Sequence, residues 1–451
     1  MRSAIHLLLI SSCALTASAR EESKRDFAKT FALPAGRTLR VENRNGRVSV
    51  RTHTRGEAQI QVTIRCSAPG AEEARRCSDA IQIVADEASG GVRTVFPNNW
   101  RGNNLSYSVD YDITMPATAP LDVRNRFGNT DVSNLQASAT INSANGSVTF
   151  LAGRGRQHIE NSFGNVEVRK NEGDVTVNNG NGSVIAADIT GAVDVTNRFG
   201  NIRVVNPGRG VTIHNNNGNI EAENVGGAAV ISNSFGRVTV SEAKADVSVH
   251  NQNGEIVANG VAGVADLYTT FASVTVSGIG KSLTVHAQNA AVRGDSVSDS
   301  ATVDTTFGSV DLRNVKGGAR VTTGNSPIRL TTVGGEVFAK ATFAGVTITD
   351  AAGPITVENQ NGSVIVEAKG GARCQPVSLR TSFGPIRVTV PRGSGYNLSA
   401  RTSFGRIHTD TGTTISVSGD ISPDVLNGKI GAGGCDLRLM GQNTNIDILS
   451  R

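Results

Sequence analysis

From residue 128 onward a glycine returns every 18 residues without a slip: Gly128, Gly146, Gly164, Gly182, Gly200, Gly218, Gly236 and Gly254. The frame continues through Ala272, Ala290, Gly308, Ser326, Ala344 and Gly362, which makes fourteen marks with no insertion or deletion. The residue before the mark alternates between two types. It reads Phe127, Asn145, Phe163, Asn181, Phe199, Asn217, Phe235 and Asn253, and so on to Phe343 and Asn361. A chain that repeats this rigidly must stack one small unit on the next.

Apolar residues keep the same register. Two positions after the mark stand Val148, Val166, Val184 and Ile202; thirteen after it stand Ile141, Ile159, Val177 and Val195. Each unit therefore holds two short strands of period-two alternation, such as NVEV and DVTV, separated by Gly/Asn-rich turns. Strands this short cannot bury an apolar face alone, but stacked copies create a continuous core. The expected fold is an all-β solenoid with about 18 residues per coil, or roughly 65 Å for the regular part at 4.8 Å per coil. A 36-residue coil of half that length is the alternative. Parity with the branched positions places the phenylalanine inside a corner, and the asparagine at the same site is expected to hydrogen-bond turn backbone.

The ends break the frame. Residues 1–19 (MRSAIHLLLISSCALTASA) have an early positive charge, an apolar run and an Ala-x-Ala site, and read as a secretory signal. A rival reading takes ISSC as a lipoprotein box that would leave a lipidated Cys13. Residues 31–120 form a β-rich capping module, with a short helix from Ala71 and Asn45-Gly46 echoing the repeat. Residues 121–375 are the regular solenoid, and 376–451 irregular terminal coils, where the alternation slips to Phe383, Phe404 and Asn427. In an exported chain the remaining cysteines suggest the disulfides Cys66–Cys77 and Cys374–Cys435.

Chemistry is sparse. The formal charge of +5 is spread along the chain, with no dense basic run to suggest nucleic acid. Beyond the leader nothing reaches the roughly 18 apolar residues of a membrane helix. His214, His250 and His286 lie 36 apart; two coils separate them in an 18-residue coil, too far for one metal ion, so they read as solvent-facing polar positions. A glycosidase needs two carboxylates at a fixed separation. Asp131, Asp174, Asp194, Asp304 and Asp311 sit in or beside strands, but only Asp174 and Asp194 can be near neighbours. With phenylalanine placed inward, sugar-stacking aromatics are also missing. No catalytic motif, cofactor fingerprint or metal-ligand pattern appears, and the NGS triplets at Asn145, Asn181 and Asn361 follow from the turn.

The recurrent NRFGN, NSFGN, NQNGS and TSFGR coils, with LRVENRNGRVSV and YDITMPATAPLDVRNRFGNTDV near the start, resemble the bacterial DUF4097 family of β-strand-repeat proteins labelled adhesins. The resemblance covers residues 31 to 450 and implies an exported β-solenoid; it brings no catalytic residues. The expected function is that of a non-enzymatic adhesin-like module of the cell surface or envelope, meeting a glycan or an envelope protein through its polar strand faces. A periplasmic scaffold or assembly factor is the alternative, and a polysaccharide-processing enzyme ranks below both.

Overall fold

In a computed structural model the chain is all-β: a parallel β-solenoid of about 15 turns with roughly 18-residue spacing. The structure describes residues 20–34, 36–96, 104–370, 375–412, 415–418 and 422–451. The leader with Cys13, the loop bearing Trp100, and Cys374 with its expected bond to Cys435 lie outside the described residues.

Each coil has a leading strand before the mark, as in Val193–Phe199, and a trailing strand after it, as in Ile202–Pro207. Each strand pairs in parallel with its counterpart 18 residues on. Val177 lies opposite Val195 and Val195 opposite Ile213 in the leading sheet; Val166 faces Val184 and Val184 faces Ile202 in the trailing sheet. The coil is thus 18 residues, and the 36-residue alternative falls. The ladder carries through the corner, where the Gly146 N–H donates to the Phe163 carbonyl (2.8 Å) and that of Gly164 to Asn181 (2.8 Å). Branched side chains such as Val193, Val195, Ile202 and Val204 point inward and lose all contact with water, which is the main force holding the stack.

A second corner lies six residues after the mark. In thirteen consecutive coils, from Asn134 to Asp350, this residue has a left-handed backbone, and its identity ranges from Lys170 (φ 56°) and Asp188 (φ 58°) to Thr332 (φ 58°). The turn sends the following side chain, such as Ile189 or Val225, back into the core. One coil carries a buried polar pair instead of aliphatics. The Gln157 amide donates to Asn171 Oδ1 (3.1 Å), and Asn171 Nδ2 donates to the carbonyls of Gly155 and Gly173 (both 3.1 Å); the pair is tolerated because its donors are satisfied.

Both ends depart from chain order. At the N-terminal end, Leu39–Asn43 and Val48–His53 already form a coil around Gly46, stacked directly on residues 121–133: Val41 faces Val123, and Val50 faces Val132. Between them the chain leaves to build the cap. Ser106–Pro116 pairs with the other side of Val48–His53, and Glu57–Ala68 and then Glu21–Ala32 continue the sheet in antiparallel fashion. The helix Ala71–Ala80 packs on these last two strands, and the Cys66–Cys77 disulfide (Cα–Cα 6.0 Å) ties it down. The sequence gives little warning of Glu21–Ala32, whose charges obscure its period.

At the C-terminal end, Val377–Phe383 and Ile386–Val390 pair with the last coil of the chain, Cys435–Asn443 and Ile446–Ser450; Leu379 faces Leu439 and Val388 faces Ile448. The earlier segments Tyr396–Arg401 and Ile407–Asp410 lie beyond that coil. Val425–Ile430 and Ile415–Val417 close the leading sheet with antiparallel pairings. The end of the chain is therefore an interior layer. In space the alternation never slips: Asn361 bridges Phe383, Phe383 faces Asn443, and Phe404 follows, its N–H on the Gln442 carbonyl. Asn427 is not a mark but a member of an antiparallel strand.

Candidate functional site

The phenylalanines do not fill the corner. Phe127, Phe163, Phe199, Phe235, Phe271, Phe307, Phe343, Phe383 and Phe404 all face solvent, from 42% exposed at Phe127 to 79% at Phe404. This corrects the inward placement, and the reason is local. Three residues before the mark stands a small residue that already occupies the corner, most often asparagine, otherwise Ser or Thr, and alanine at Ala287 and Ala341. Asn197, Asn215, Asn233 and Asn251 are buried there. Asn251 Nδ2 donates to the carbonyls of Gly236 and Gly254 (both 2.9 Å), and Asn125 Nδ2 to those of Gly46 (3.1 Å) and Gly128 (3.0 Å). With the inside taken, alternation fails over the last two residues of the leading strand and the ring swings outward. The burial pattern of Val193–Phe199 ends in two exposed residues for this reason.

The asparagines of the marks were expected to hold turn backbone, and they do not. That work belongs to the buried asparagine two residues earlier. Among the described residues, Asn145, Asn181, Asn217 and Asn253 make no side-chain hydrogen bond within the chain and are half-buried at the same edge; Asn45 is the exception, donating to the Tyr107 carbonyl (2.5 Å). One edge of the solenoid thus carries nine aromatic rings at alternate coils, with primary amides between them. Rings two coils apart are about 9.6 Å apart. Toward the N-terminal end Arg126 lies over the Phe127 ring (5.6 Å), beside a groove of about 590 Å³ lined by Arg44, Arg124, Arg126, Glu42 and Glu160.

The other candidates separate. His214, Ser232, His250, Tyr268, His286 and Asp304 form one outward row of the leading sheet, in consecutive coils. His250 stacks on Tyr268 (4.3 Å between centroids) and His286 Nδ1 is 3.6 Å from Asp304. Among the described residues no three His, Cys, Asp or Glu side chains gather to hold a metal ion. Asp131 receives Arg47, and Asp311 pairs with Arg313. Asp174 and Asp194 share a shallow groove of about 450 Å³. There, however, Asp174 Oδ1 accepts the Ala192 N–H (3.0 Å), the corner role that Asp246 plays for Val264 (2.9 Å). A groove of about 790 Å³ runs along the second corner, over Val261, Ile279 and Val315, where Gly260 and Gly278 lack side chains; its one charge is Lys316.

No protein-family model matches the chain, and no curated protein matches it. Solved structures similar to it include a putative adhesin from Bacteroides fragilis, 11% identical over 77% of this chain and 98% of that one, with a TM-score of 0.22. Another is a putative cell adhesion protein from Clostridium sporogenes, 8% identical over 95% and 100%, with a TM-score of 0.15. Likenesses this distant carry no argument about function.

Proposed function

We propose that this chain is an exported, non-enzymatic, adhesin-like module of the cell surface or envelope, and that the Phe–Asn edge is its binding surface. The observation that carries the reading is the line of nine exposed rings. Exposed apolar surface is costly, and an ordered array of it on a rigid scaffold marks an interaction site. The Cys66–Cys77 disulfide fits an oxidising compartment. Among the described residues no helix is long and apolar enough to cross a membrane. Asp131 and Asp311 are committed to arginines, Asp304 to His286 and Asp174 to corner backbone, which leaves Asp194 without a second free acid beside it in the groove it shares with Asp174.

Protease treatment of intact producing cells, with the N-terminus of the mature chain read by mass spectrometry, tests the placement. Digestion on intact cells is the expected result. Protection until the outer barrier is opened would sink the surface reading and favour a periplasmic scaffold. An N-terminus at Arg20 separates secretion from anchoring through Cys13.

A further inference from the structure

We infer that the ligand of the Phe–Asn edge is an extended, neutral, β-1,4-linked glycan strand, held with every second sugar on a phenylalanine. This rests on the edge being the binding surface. In such a strand each sugar is turned over relative to the one before, so the same ring face returns once per disaccharide. The exposed rings return once per two coils, about 9.6 Å, a distance of the order of one disaccharide. The apolar C–H face of a sugar packs on an aromatic ring whose face is negative. The intervening sugar meets Asn145, Asn181, Asn217 or Asn253, whose amides both donate and accept and have no side-chain hydrogen-bond partner among the described residues.

The neighbours of the rings suit the same polymer. Ser or Thr precedes seven of the nine phenylalanines, from Ser162 to Ser403, Arg126 and Arg198 precede the other two, and Gln252 and Gln288 precede asparagines. The hydroxyls and amides are short or flexible uncharged groups that hydrogen-bond sugar hydroxyls, and the two guanidinium groups donate to the same partners. The competing occupant is a second copy of this chain, which has the right period by construction. A stable homodimer interface, however, has a continuous apolar centre, whereas here an amide follows every ring. Each contact is weak, and affinity accumulates along the strand through multivalency.

The test uses the mature chain with cello-oligosaccharides and β-1,4-linked N-acetylglucosamine oligosaccharides of two to eight sugars, titrated by calorimetry. With at least one of the two series, affinity should rise by about three- to tenfold for each added disaccharide that reaches another ring. The triple variant Phe199→Ala/Phe271→Ala/Phe343→Ala, which leaves no four successive rings intact, should lose about three- to tenfold toward the octasaccharide, one such step, with an unchanged melting curve. Replacing the same three by Trp should keep or tighten binding, which guards against a misfolded alanine variant. Absence of binding to both series, or affinity independent of length, overturns the inference. So does a wild-type dimer in sedimentation velocity that the alanine variant turns into monomer, which would assign the edge to a second copy. Surface digestion without oligosaccharide binding removes this inference alone; binding by a chain that proves periplasmic removes only the surface placement.

Discussion

Asn251 and Asn253 stand two residues apart in one coil and do opposite work. Asn251 is buried and gives its amide protons to two glycine carbonyls, one in its own coil and one in the coil before. Its Oδ1 finds no donor, which trims the gain. Asn251→Ala should still lower stability by about 1–3 kcal/mol in urea denaturation, because two buried carbonyls lose their partner. Asn253→Ala should stay within about 0.5 kcal/mol of wild type. The sequence shows both residues and cannot rank them. A period-two reading sends both inward; only the volume of the corner, which admits one, decides. The same competition hid the exposed rings, and with them the candidate site, from sequence reasoning.

At the scale of elements, the strands were legible wherever the frame is strict, because Val and Ile recur at fixed distances from the mark. The second corner was not legible, since its left-handed position accepts Asn, Lys, Glu, Ser and Thr alike and leaves no compositional trace. Coil order at the ends was legible in principle. The unbroken Phe/Asn alternation demands an Asn coil between Phe383 and Phe404, and Asn443 supplies it. A chain ending at residue 434 should lose hydrogen-exchange protection in both Val377–Phe383 and Tyr396–Arg401, which each pair with the missing strand. An ordinary solenoid would lose protection only in the coil next to the cut. In the cap, Cys77→Ser should destabilise by about 2–4 kcal/mol, with the loss concentrated in helix Ala71–Ala80. Limited proteolysis of that helix would show it.

For the molecule as a whole, stability is close to a sum over neighbouring coils, so the ends decide when it opens. Three tyrosines whose hydroxyls burial pushes above their usual range lie at the ends: Tyr107 and Tyr111 in the cap, and Tyr396 in the outermost C-terminal coil. Tyr111 also shares a hydrogen bond with Thr94 (2.7 Å). Above about pH 10 the unfolded chain ionises its tyrosines while the folded ends stay neutral. The unfolded state then binds fewer protons, so stability falls as pH rises; it is fully present below that range. The expected result is that the denaturation midpoint drops between pH 9 and 11. Amide protection should fail first at the cap and at Tyr396–Arg401, and Tyr111→Phe should flatten the pH dependence.

The interior position of the last coil also sets an order of events. A ribosome makes residues 435–450 after both of the strands that they separate. Until they arrive, Val377–Phe383 and Tyr396–Arg401 have a gap one strand wide between them, each with bare backbone facing it. A chain terminated before residue 435 keeps that gap permanently, so the topology makes completion of the stack depend on translation having passed this coil.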